Sequence, residues 1–105
     1  MDSITLNTLE LAEYAHLGAT TEFADLPAED AQICRMIGLF FATNLHLAQE
    51  CHRIEEITLT SAGEGKPPLA VLKIRKGKQV HELRSNKRGK VPIVRRRVRR
   101  RGEKR

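Results

Sequence analysis

The chain has 105 residues, 40% of them hydrophobic but only 4% aromatic, which gives one small domain with a core of Leu, Ile, Val and Ala plus whatever extends from it. Its net charge of +6 conceals a gradient, because residues 1–50 hold eight acidic side chains and one basic one (Arg35), while residues 51–105 hold eighteen basic and five acidic. No Lys or Arg precedes Arg35, and the longest apolar run is Met36 to Ala42, so neither a secretory leader nor a membrane span is expected and the two cysteines read as reduced thiols.

The first element opens at Asn7-Thr8-Leu9-Glu10. Asn7 is placed to accept from a first-turn amide, and Glu10 to reach back three residues, the pattern of a capping box. Leu9, Leu11, Ala12, Tyr14 and Ala15 then supply an apolar side, and Gly18 suits a stop. The pattern predicts a helix over residues 8–17. Residues 19–26 read as a connector with Phe23 and Leu26 turned inward.

Pro27 followed by Ala28, Glu29 and Asp30 predicts a second helix, with proline at its first position and acids in its first turn. Ile33, Met36, Ile37, Phe40, Asn44, Leu47, Ala48, Cys51 and Ile54 recur on one face at helical spacing, widened by Phe41 and others. Run unbroken to Arg53, this helix is about 40 Å long, more than a body this small covers. Ile33, Ile37, Phe40, Phe41, Asn44 and Ala48 are therefore expected to offer a face to a protein partner or a second copy. Asn44 has two readings: an amide satisfied by nearby backbone, or one paired with its symmetry mate to fix a dimer's register.

Beyond residue 54 the period falls to two. Residues 56–60, 69–75 and 79–84 read as strands, joined by a loop over 61–68 and a turn at Lys76-Gly77-Lys78. The expected fold is thus α+β: two N-terminal helices followed by a three-stranded antiparallel β-meander, ααβββ, in residues 1–84. Residues 85–105 are expected to be an arginine-rich, intrinsically disordered tail that contributes nothing to the core.

That tail carries the strongest functional signal. Lys87, Arg88, Lys90, Arg95, Arg96, Arg97, Arg99, Arg100, Arg101, Lys104 and Arg105 are the expected phosphate contacts, and nine of the twelve basic residues from Arg84 onward are arginine. Guanidinium groups bind phosphate in a planar, bidentate fashion and remain charged at any working pH. An arginine-rich segment that orders on structured RNA fits this composition, so nucleic acid is the expected partner, RNA ahead of DNA. All four aromatics precede residue 42, so no predicted strand offers a stacking platform for single-stranded bases. Lys73, Arg75, Lys76 and Lys78 on the meander either extend the positive surface or are ordinary exposed lysines and arginines.

No metal site and no cofactor are expected. Cys34 and Cys51 lie about 25 Å apart if they share one helix. His46 and Glu50 form only an i, i+4 pair, and His81 and Glu82 alternate across a strand. No nucleophile elbow, phosphate loop or zinc-protease motif is present. The sequence thus points to a non-enzymatic nucleic-acid-binding accessory protein, cytoplasmic or part of a ribonucleoprotein, virion or phage system. The competing expectation is an interaction inhibitor or adaptor whose acidic half, residues 1–50, is the active surface.

Overall fold

The computed structural model describes residues 3–93. Strand β1 (Ser3–Asn7) leads into helix α1 (Thr8–Thr20), a 3-10 turn (Phe23–Asp25) and helix α2 (Ala28–Thr43). A four-residue helix α3 (Leu45–Ala48) and a second 3-10 turn (Cys51–Arg53) follow, and then strands β2 (Ile54–Thr60), β3 (Leu69–Lys76) and β4 (Gln79–Arg84). The four strands form one antiparallel sheet in the order β1-β2-β3-β4, so the fold is α+β. The meander and the presence of the two main helices match expectation; the extent of the second helix, the fourth strand and the third helix do not.

The missed strand, β1, alternates Ser3-Ile4-Thr5-Leu6-Asn7 and pairs along β2, with Ile4 opposite Leu59 and Leu6 opposite Ile57. Leu6 is 2% exposed. On the other face Thr5 and Thr58 share a 2.8 Å hydroxyl contact. Asn7 closes the strand and caps α1 at once. The amide of Glu10 donates to Asn7 Oδ1 at 2.8 Å, and the amide of Asn7 donates to Glu10 Oε1 at 2.9 Å.

Helix α1 passes through Gly18 rather than stopping there and ends with the Thr21 amide donating to the Leu17 carbonyl at 3.0 Å. A Cβ at Gly18 would lie 3.5 Å from Cys34 Cβ, so this glycine marks the close approach of α1 to α2. Leu26 is half-buried as expected, whereas the Phe23 side chain lies outside the described residues. Pro27 sits at the cap, one position ahead of its expected place, and accepts from the Ala31 amide at 2.9 Å.

The long second helix is corrected at Asn44, whose φ of −127° and ψ of 65° end α2 after Thr43. The chain resumes as α3 and swings Leu47, 2% exposed, back onto the core. Cys34 and Cys51 therefore do not share a helix; both are free thiols. Ile33, Met36, Ile37, Phe40, Leu47, Ile54, Ile57, Leu59, Leu72 and Ile74 form the layer between helices and sheet. Phe40 is fully buried, and its loss to Ala would cost about 3–5 kcal/mol.

Candidate nucleic-acid interface

The predicted basic residues fall into three groups. Arg95, Arg96, Arg97, Arg99, Arg100, Arg101, Lys104 and Arg105 lie outside the described residues. The cations of the sheet's open face are neutralised where they stand. Lys73 Nζ lies 3.7 Å from Glu56, Arg84 3.5 Å from Glu82, and Arg75 pairs with Glu55. An irregularity in register between Ile54 and Glu56 makes this possible, since it lets two consecutive glutamates of β2 each reach a cation of β3. The open face is laced with ion pairs, and the aromatic rings lie elsewhere in the chain.

Lys87, Arg88 and Lys90 make the third group. They are exposed, and among the described residues none has a carboxylate partner. They sit on a turn held by its own first residue. Asn86 Oδ1 accepts from the amides of Arg88 (2.8 Å) and Lys90 (3.1 Å). The Asn86 carbonyl accepts from the Gly89 amide at 3.0 Å, and the Asn86 amide donates to the Lys90 carbonyl at 2.8 Å. Gly89 supplies the positive φ of 81° that closes the turn.

The turn is also fastened to the body, which corrects the expectation that nothing from Ser85 onward contributes to the core. Ser85 keeps the sheet register: its amide donates to the Ala70 carbonyl at 2.9 Å, and its Oγ accepts from the Ala70 amide at 2.8 Å. Val91 is 3% exposed and belongs to the core. Between them stands Asn44, 1% exposed. Its Nδ2 donates to the carbonyls of Phe40 (3.0 Å) and Gly89 (2.8 Å), and its Oδ1 accepts from the Val91 amide at 2.7 Å. The buried amide is satisfied inside the chain, so it has no group left to pair with a symmetry mate.

The face offered to a partner is corrected for the same reason. Ile33 and Ile37 are 3% exposed and Phe40 is fully buried, because the chain's own sheet covers them. Phe41 and Ala48 are half-buried at the margin, with the Phe41 ring edge-on to Phe40 at 5.3 Å. The exterior of the helical layer is acidic instead: Glu10, Glu13, Glu22, Asp25 and Glu29 are exposed.

His46 lies beside the C-terminal segment, in a shallow cleft it shares with Glu50, Lys76 and Ile93. Its Nε2 is buried without a hydrogen-bond partner among the described residues. Among those residues no group of three or more His, Cys, Asp or Glu is placed to hold a metal ion, and no helix is long and apolar enough to cross a membrane. The sequence does contain the signals for the fastened turn: an Asn three residues ahead of a Gly, followed by the apolar Val91. A contact between Asn44 and residues 45 or more positions away is not legible by periodicity.

Comparison with known proteins finds no matching family model, no similar curated protein and no similar solved structure.

Proposed function

We propose that this chain is a non-enzymatic nucleic-acid-binding accessory protein whose basic C-terminal end contacts phosphates, those of RNA ahead of DNA. One observation carries the reading. Lys73, Arg75 and Arg84 on the open face of the sheet are paired with glutamates, whereas Lys87, Arg88 and Lys90 are exposed, have no ion-pair partner among the described residues and lie on an ordered turn that precedes the arginine tract in sequence. Charge left uncompensated on an ordered turn supports an anionic ligand better than charge that is already neutralised. Arginine adds bidentate phosphate geometry, and a tract that orders on folded RNA is an established physical mode.

A second reading rests on the acidic exterior. Glu13, Glu22, Asp25 and Glu29 are exposed and without an ion pair among the described residues. As an inhibitor or adaptor the chain would meet a basic protein surface with this side, through charge rather than through the buried apolar stripe.

Fluorescence anisotropy of the full chain with hairpin RNA, single-stranded RNA and duplex DNA across a salt series decides between them. The nucleic-acid reading expects log affinity to fall steeply with log salt, by about 0.9 per phosphate neutralised on duplex DNA. Absence of binding to all three at ~0.1 M salt would refute it and turn the search to a protein partner.

A further inference from the structure

Resting on the nucleic-acid reading, we infer that the folded body itself carries a preorganised phosphate-binding platform, separate from the arginine tract and built from two loops. One is the Asn86–Lys90 turn; the other joins β2 to β3 and contributes Lys66. The platform's ligand is the sugar-phosphate backbone, without regard to base sequence.

The two loops are interlocked at Gly89. A Cβ there would lie 2.9 Å from Pro67 Cβ and 3.1 Å from the Pro68 carbonyl oxygen, so only glycine allows this approach. Pro68 is itself fully buried, and Gly89 is buried beside it. The contact places Lys66 one residue from it on one loop, and Arg88 and Lys90 one residue from it on the other. Lys66, Arg88 and Lys90 thus each adjoin a residue of one tight backbone contact, with Lys87 next to Arg88; all four are exposed, and none has an ion-pair partner among the described residues. The only nearby acid in either loop is Glu64.

The backbone that carries these cations is fixed. Asn86 and Asn44 hold the turn from both sides through four side-chain bonds of 2.7–3.1 Å. Less ordering entropy is therefore lost on binding than for a segment that must fold on its ligand. The chemistry also sets what the platform reads. Asn86 Oδ1 is committed to its own turn, Asn44 is buried, and neither loop has an aromatic ring. Lys and Arg contacts of this kind position the backbone and carry no base information.

The test compares full-length proteins on two unrelated 20-base-pair DNA duplexes and two unrelated RNA hairpins. In the platform variant, Lys66, Lys87, Arg88 and Lys90 are each replaced by Gln; in the tract variant, Arg95, Arg96, Arg97, Arg99, Arg100 and Arg101 are. The platform variant is expected to lower the salt slope by about 2 to 4, roughly one per cation, and to weaken binding equally on both sequences of each pair. The tract variant should retain measurable low-salt binding. Gly89→Ala, which displaces the loops without changing charge, should also reduce the slope. Should the platform variant bind like the parent while the tract variant loses binding, the platform is refuted and the general reading stands. A normal slope in Gly89→Ala refutes the preorganised geometry, and a parent that binds none of the four ligands refutes both proposals.

Discussion

Asn44 Oδ1 and the Val91 amide form a 2.7 Å hydrogen bond between residues 47 positions apart, in a site where Asn44 is only 1% exposed. The same carboxamide holds the Gly89 carbonyl, so one side chain ends helix α2 and pins the segment that leaves the sheet. The expected consequence of Asn44→Leu is therefore a loss of stability. Leucine would strand the Gly89 carbonyl and the Val91 amide away from water, at about 1–3 kcal/mol each. Urea unfolding should show a decrease of about 2–5 kcal/mol, a large share of the total for a domain of this size. Stability equal to or above that of the parent would mean that the three bonds contribute nothing. It would also reopen the dimer-register role that the structure argues against.

The position of the body's C-terminal boundary follows from the same bond. Ending the chain after Arg84 removes Val91, 3% exposed, and Ser85, which closes the register opposite Ala70. It also leaves Asn44 with only one of its three bonds, the one to the Phe40 carbonyl. Burial of a valine is worth about 1.5–3 kcal/mol and the unsatisfied amide costs about as much again. A chain ending at Arg84 should therefore melt far below the parent or fail to fold, whereas one ending at Ile93 should melt within a few degrees of it. Thermal circular dichroism on both decides. Equal melting temperatures would show that residues 85–93 do not stabilise the body. If they do, loss of nucleic-acid binding on cutting after Arg84 would report unfolding as well as lost charge.

Local signals were the ones legible in sequence. The Asn7 capping box, the acids at the start of α2, the stripe from Ile33 to Phe40 and the three strands of the meander each lie within one element, and each is where its periodicity puts it. Strand β1 alternates cleanly but is five residues long, and its partner, β2, lies more than forty residues on. The helical period ran on through Leu47 because the break is a single residue, Asn44, whose reason for leaving the helix is a set of acceptors and donors far along the chain. The candidate interface was legible as composition, since Lys87, Arg88 and Lys90 are a charge run in any reading. Their fixation was not, because it depends on Gly89 meeting Pro67 and Pro68 across two loops.

The ion pairs of the open sheet face predict a negative result. Lys73 and Arg75 keep side-chain exposures of 55% and 49%, so solvent screens their pairs with Glu56 and Glu55. Each contributes at most about 1 kcal/mol. Lys73→Gln and Arg75→Gln should shift stability by less than that and leave nucleic-acid affinity within about twofold of the parent. A loss comparable to that of the platform variant would move the phosphate surface onto the sheet. Anisotropy and urea unfolding on the same two proteins separate the effects.

The contact between α1 and α2 predicts behaviour at alkaline pH. Cys34 is 5% exposed, and its Sγ lies 3.5 Å from the Tyr14 carbonyl, to which it donates. Burial first, and the Asp30 carboxylate second, raise its thiol above the ordinary range. Tyr14 is raised as well, by burial and then by the charge of Asp30. For both groups the ionised form is the one the fold disfavours, so the unfolded chain releases its protons first. Their contribution is complete below the unfolded pKa values and is lost as pH rises from there through the folded ones. Stability should accordingly decline above about pH 9, where the unfolded thiol ionises, and further above about pH 10 as the phenol follows. Melting temperatures of the parent and of Cys34→Ala between pH 7 and pH 10.5 provide the check. The variant should start lower, for want of the packed sulfur, and fall less steeply, since it lacks the buried thiol whose ionisation the fold disfavours. Parallel curves would show that the buried thiol is not linked to folding.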